Sequence, residues 1–200
     1  MTVMKPALLV LMVVALSGCA IAPPAAPDAG RAQSLSDFPT PAAPDDWALS
    51  ARAALAVDGE GATAAVSWRH SPQRWRLLLR GALGAGATRL EGEAGGVRLT
   101  LADGRTYRGE DPRVLLARLT GFDLPLRHLR WWIVGQPVPG IGGRVTVSPE
   151  GDALAYRQAD WAVTLGDYQR VDAYRLPHRL SVIGDGLRLR VRIREWQVPP

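Results

Sequence analysis

The 200 residues hold one cysteine, one lysine, three histidines and two phenylalanines. A single thiol, Cys19, excludes a disulfide within the chain. The one lysine is Lys5, so the glycine-rich run Gly81–Thr88 cannot work as a P-loop, which needs a lysine beside its glycines. His70, His128 and His178 lie far apart and show none of the short His/Glu spacings of a zinc site. No Gly-x-Ser-x-Gly elbow occurs. Carboxylates such as Asp103 and Glu110 sit at turn or capping positions, where structure explains them. No catalytic residue, metal or cofactor is expected. The apolar run Ala7–Leu16 is too short for a spanning helix, which needs roughly 20 residues.

That short run has another use. Lys5 gives it a positive flank, and Leu16-Ser17-Gly18-Cys19 ends it with small residues before the thiol. Residues 1–18 thus read as an export signal, and the last four residues resemble the bacterial lipobox. The resemblance implies removal of the leader, diacylation of Cys19 and a third chain, such as palmitate, on the new amine. One acyl chain holds a protein only reversibly at ~0.8 kcal/mol per methylene, and three make release very slow. Ala20 in place of an aspartate after the cysteine implies, by the same resemblance, the outer membrane. The expected location is its periplasmic face.

Net charge is +5, or +4 once Lys5 is lost, and every remaining basic residue is arginine. An exported, tethered domain does not meet nucleic acid. Anionic headgroups or an acidic protein fit better. Residues 19–45 are rich in Pro and Ala without apolar periodicity and read as a tether, leaving 46–200 as one domain with a sizeable core.

From Trp47 the pattern has period two. Trp47, Leu49, Ala51, Ala53, Leu55 and Val57 alternate up to Asp58-Gly59, then Ala64, Val66 and Trp68 run up to a turn at His70-Ser71-Pro72. Further strands follow at Trp75–Leu79, Thr88–Gly92, Val97–Leu101 and Arg105–Tyr107. Asp111-Pro112 then opens a helix, and a second starts near Pro125 and runs to Gly135. Alternation resumes at Arg144–Val147, Leu154–Gln158, Trp161–Tyr168, Arg179–Ile183 and Leu187–Trp196. The expected fold is mainly β: one curled antiparallel sheet of about eleven strands forming an unclosed barrel, with a short helical lid after strand six.

The run Leu119-Thr120-Gly121-Phe122-Asp123-Leu124-Pro125-Leu126-Arg127-His128-Leu129-Arg130-Trp131-Trp132-Ile133-Val134-Gly135 carries a family resemblance. So do the tryptophan-led first strand, Asp103-Gly104-Arg105, Gln158 to Trp161, Leu176-Pro177 and the basic-apolar last strand. Together they resemble the LolB family of outer-membrane lipoprotein receptors. The resemblance implies the unclosed barrel with its lid. It also implies that the chain takes acylated lipoproteins from the periplasmic carrier LolA and inserts them into the outer membrane. The expected partners are LolA, lipoprotein cargo and outer-membrane lipids, met by a monomer.

For such transfer Trp68, Trp75, Leu77, Leu99, Trp161, Val163 and Leu180 are the expected lining of an acyl-chain cavity, facing Leu115, Leu119 and Trp132 from the lid. Packing as an ordinary core is the plain alternative for each. Leu83 and Gly84 are the expected membrane-insertion loop, because an apolar residue at a Gly-flanked hairpin tip departs from ordinary turn chemistry. The matching family loop carries a leucine needed for delivery, although Ala82 stands here in place of the family's proline. Arg188, Arg190, Arg192 and Arg194 form either a solvated face or a surface for anions. Two rival functions remain: a lipoprotein that binds a lipid or glycolipid, and a structural subunit of an outer-membrane assembly complex.

Overall fold

A computed structural model describes residues 30–57, 60–81, 86–93, 96–120 and 124–199. The chain joins the fold earlier than its composition implies, at a short strand Arg31–Ser34 (β1) and a 3-10 turn Leu35–Asp37. The expected tether of 19–45 is therefore too long at its C-terminal end. Its Pro/Ala-rich sequence hides a strand held by backbone pairing, and Phe38 is buried edge-on to Tyr156, with ring centroids 6.3 Å apart.

Six strands follow as a meander: Trp47–Val57 (β2), Glu60–His70 (β3), Trp75–Arg80 (β4), Ala87–Glu93 (β5), Gly96–Thr100 (β6) and Thr106–Gly109 (β7). Next come the helices Pro112–Thr120 (α1) and Leu126–Trp132 (α2). The Asp111 carboxylate accepts the Arg113 N–H at 2.8 Å, so α1 begins where a cap followed by proline predicts. The helices follow the sixth strand counted from Trp47, or the seventh with β1 included.

The second half holds Gly143–Val147 (β8), Ala153–Gln158 (β9), Trp161–Gly166 (β10), Gln169–Val171 (β11), Tyr174–Leu176 (β12), Arg179–Gly184 (β13) and Leu187–Gln197 (β14). Twelve of the strands make one antiparallel sheet in the order β1-β8-β9-β10-β13-β14-β2-β3-β4-β5-β6-β7, against an expectation of about eleven. β11 and β12 form a separate hairpin whose three-residue strands are too short to show alternation. β1 and β7 end the sheet without pairing each other, so it is not closed into a barrel. Both ends are only four residues long, which limits the exposed edge.

The last strand joins the two halves. β14 pairs with β13 on one side and with β2 on the other, the second ladder shifting register between Ile193 and Glu195. Leu187, Leu189, Val191, Ile193 and Trp196 are buried while Arg188, Arg190, Arg192 and Arg194 are exposed, so the alternation read from the sequence places the strand's faces correctly.

Candidate functional site

Cross-strand registers carry one apolar face through the whole sheet. Leu49, Trp68, Leu77, Leu90, Leu99 and Tyr107 are successive partners across β2 to β7. Tyr156, Val163, Val182, Leu189 and Leu55 form a second row from β9 to β2. Leu165, Leu180 and Val191 form a third. The strand residues expected to line a cavity thus share one face of the curled sheet. Residues paired across strands share a face by the geometry of the pleat.

Trp75 and Trp161 differ from the others in being half-buried. Each rests on a glycine of the next strand. A Cβ on Gly92 would stand 2.1 Å from the Trp75 Nε1, and one on Gly184 would stand 2.8 Å from Trp161 Cε3. Glycine there lets each indole lie close against the backbone.

The helices cover this face. α1 packs on β6 and β7, with Leu115 over Gly109 and Leu116 buried. Trp132 of α2 is wholly buried, 5.4 Å from His128 and 6.4 Å from Trp161 between ring centroids. Leu119 lies on α1, but its side chain falls outside the described residues, as do Cys19, Leu83 and Gly84. With the helices in place Leu90, Leu99, Leu180, Val182 and Trp132 have no exposed surface. An acyl chain reaches them only if part of the lid moves.

α2 is tied to the sheet through buried side chains. Gln158 on β9 is a buried amide that uses all four of its hydrogen-bonding positions. Its Oε1 accepts the Trp132 indole N–H at 3.1 Å and the Val138 N–H at 2.9 Å. Its Nε2 donates to the carbonyls of Val138 at 2.8 Å and Ile141 at 2.6 Å. The Tyr156 hydroxyl adds a 2.6 Å bond to the Gly135 carbonyl, and burial pushes its pKa far above the usual phenol range, keeping the donor proton in place. α2 and the segment after it are therefore fixed to the sheet. In the sequence Gln158 stands out only as part of a family motif, because its partners are mostly backbone groups.

A cleft of about 580 Å³ runs along the lid margin, between the starts of the helices and the β9–β10 and β13–β14 turns. Asp111, Arg127, His128, Asp160 and Asp185 line it together with Trp161. At the other end of β2, Trp47 packs edge-on to Trp68 and Trp196, at 5.1 and 5.6 Å, and stacks on His70. The indole N–H of Trp68 has no hydrogen-bond partner among the described residues.

No group of His, Cys, Asp and Glu able to hold a metal occurs among the described residues. The inner face offers apolar burial, a helical cover and few polar groups, which suits hydrocarbon chains.

A family model described as outer membrane lipoprotein LolB matches residues 45–196. The outer-membrane lipoprotein LolB of Marinobacter nauticus is 35% identical over 178 residues, which cover 87% of this chain and 83% of that one. The protein of the same name from Alkalilimnicola ehrlichii is 34% identical over 191 residues, 95% of each chain. Among solved structures, a LolA-superfamily protein from Nitrosomonas europaea aligns with a TM-score of 0.48 at 6% identity, over 78% of this chain and 87% of that one.

Proposed function

This chain belongs to the LolB family of outer-membrane lipoproteins, and on that premise we propose how it serves lipoprotein localisation. It takes acylated lipoproteins from the periplasmic carrier LolA into its apolar interior and inserts them into the outer membrane. The work is transfer between binding sites, with no bond chemistry. Cys19 carries the acyl anchor and holds the domain on the periplasmic face.

One observation supports this reading above the others: a continuous apolar face under a cover of two short helices. A lipoprotein's acyl chain of about fourteen methylenes would expose ~10 kcal/mol of apolar surface in water, so it must pass directly from one apolar site to the next. The interior is already filled, with Leu115 and Trp132 of the helices buried against the sheet. A chain that enters replaces lid contacts with its own, and its net gain is the difference between the two. Binding is thereby kept weak enough for a bilayer, which solvates the whole chain, to take the cargo onward. α1, lying on β6 and the free-ended β7, is the half that moves, while the Gln158 bonds keep α2 in the frame.

Leu83 enters the bilayer from the β4–β5 loop and opens the route for release. The test uses a chain beginning at Ala20, which contains every described element of the fold. It is incubated with LolA loaded with a lipoprotein, with and without outer-membrane vesicles, beside a Leu83→Glu variant. The wild type should strip cargo from the carrier and pass it to vesicles, while the variant accepts cargo and retains it. A wild type that takes no cargo refutes the receptor reading. A variant that delivers normally refutes the role of Leu83 alone.

A further inference from the structure

The side of the sheet turned away from the lid carries rows of arginine set directly opposite one another. Arg179 pairs with Arg192, and Arg192 with Arg52, across β13, β14 and β2. The same row continues through Ala65 to Arg80 on β4. Arg69 faces Arg76 across β3 and β4, and Arg98 faces Arg108 across β6 and β7. Neighbouring strands lie ~4.8 Å apart, and like charges placed directly opposite destabilise a sheet. Carboxylates answer few of them: Asp167 pairs with Arg179 and lies 4.0 Å from Arg192, and Glu91 pairs with Arg76 at 2.6 Å. Arg52, Arg80, Arg188 and Arg190 have no ion pair among the described residues.

The surface between most of the arginines is low. Ala54, Thr63, Ala65, Ser67 and Ala87 lie on this side of the sheet, with Leu78 and Ile183 the larger apolar side chains among them. A fold gains nothing by opposing its own cations in this way. The arrangement suits a broad, flat, anionic surface, and guanidinium is the side chain best shaped to grip phosphate oxygens in pairs.

We infer that this convex arginine face docks on anionic phospholipid headgroups of the membrane to which the domain is tethered. Docked so, the sheet keeps the lid and its cleft on the side away from the bilayer, open to a carrier arriving from the periplasm. The inference rests on the membrane location of the family and not on cargo transfer. An acidic protein is the competing occupant, but the charge spreads in two cross-strand rows from β13 to β7.

The test is vesicle sedimentation of the chain from Ala20, without cargo or carrier, on phosphatidylcholine vesicles with and without phosphatidylglycerol. Wild type should bind only the anionic vesicles, and less as salt is raised. Each arginine near an anionic surface is worth about fivefold in partitioning. An Arg52→Gln, Arg80→Gln, Arg190→Gln variant should thus bind about a hundredfold more weakly. A variant with the same loss of charge on the lid, Arg118→Gln, Arg127→Gln, Arg130→Gln, should bind close to normally. Equal loss in both variants would overturn the inference, since net charge alone would then explain binding. So would failure of wild type to prefer phosphatidylglycerol. A convex-face variant that binds anionic vesicles as tightly as wild type would also overturn it and leave the face to an acidic protein.

Discussion

Replacing Gln158 by leucine tests whether one amide fixes half of the lid. Leucine has nearly the same volume, so packing changes little and the hydrogen bonds account for the effect. The change leaves two donors, the Trp132 indole N–H and the Val138 N–H, and two acceptors, the Val138 and Ile141 carbonyls, without their partner. A typical hydrogen bond contributes about 1 kcal/mol net, and a buried group left unsatisfied costs about 1–3 kcal/mol. Water let in by the loosened segment recovers part of this, so a loss of about 4 kcal/mol is expected. For a domain of this size that lowers the melting temperature by roughly 8–16 °C. Thermal and urea unfolding of the chain from Ala20, followed by circular dichroism, would measure it. The freed α2 should also admit a hydrophobic dye more readily than wild type. A loss under about 1 kcal/mol with unchanged dye uptake would show that Gln158 does not hold α2, and the division into a fixed and a moving helix would fall.

Three other perturbations have signs set by the structure. Burial holds the pKa of His70 and His128 below the ordinary 6.5, with Arg113 adding to the effect at His128. The unfolded chain therefore binds more protons than the folded one, and stability should fall as pH drops from about 6.5 through the lowered values. A His70→Gln, His128→Gln variant should flatten that slope between about pH 7 and pH 5 in urea titrations, and an unchanged slope would refute the assignment. Gly92→Val should push Trp75 off the sheet and cost about 2 kcal/mol. Combined with Trp75→Ala it should cost less than the two changes separately, and simple additivity would show that the indole does not need the glycine. Arg52→Gln should raise stability by about 0.5 kcal/mol at low salt by relieving Arg192, its cross-strand neighbour. A decrease in thermal unfolding temperature would mean the opposed cations are compensated.

Most of the sheet is legible because one of its faces is buried. A strand with one wet face alternates, so Trp47, Leu49 and Ala51 announce β2, and the leucines between arginines announce β14. Asp111-Pro112 likewise announces α1 through its capping chemistry. Arg31–Ser34 shows no such pattern, because an edge strand of four residues is specified by its partner, Val145 to Val147 among them, and not by its own side chains. The order of strands is hidden for the same reason: nothing in Leu187–Gln197 says that it lies against β2. In the site, the inward tryptophans and leucines are readable from alternation and resemblance. The Gln158 clamp is not, since a glutamine reveals nothing about which distant carbonyls it meets. Leu83 stands out through the glycines that flank it in the sequence and through the family resemblance.

The unpaired seam between β1 and β7 has a mechanical consequence. In a closed barrel the bore is set by strand number and stagger, and widening it means breaking ladders. A sheet with two loose margins behaves like a split collar: a small change of twist, spread over its pairings, alters the diameter while every backbone hydrogen bond survives. Girth then becomes a soft variable, and one frame can close around contents of unequal bulk.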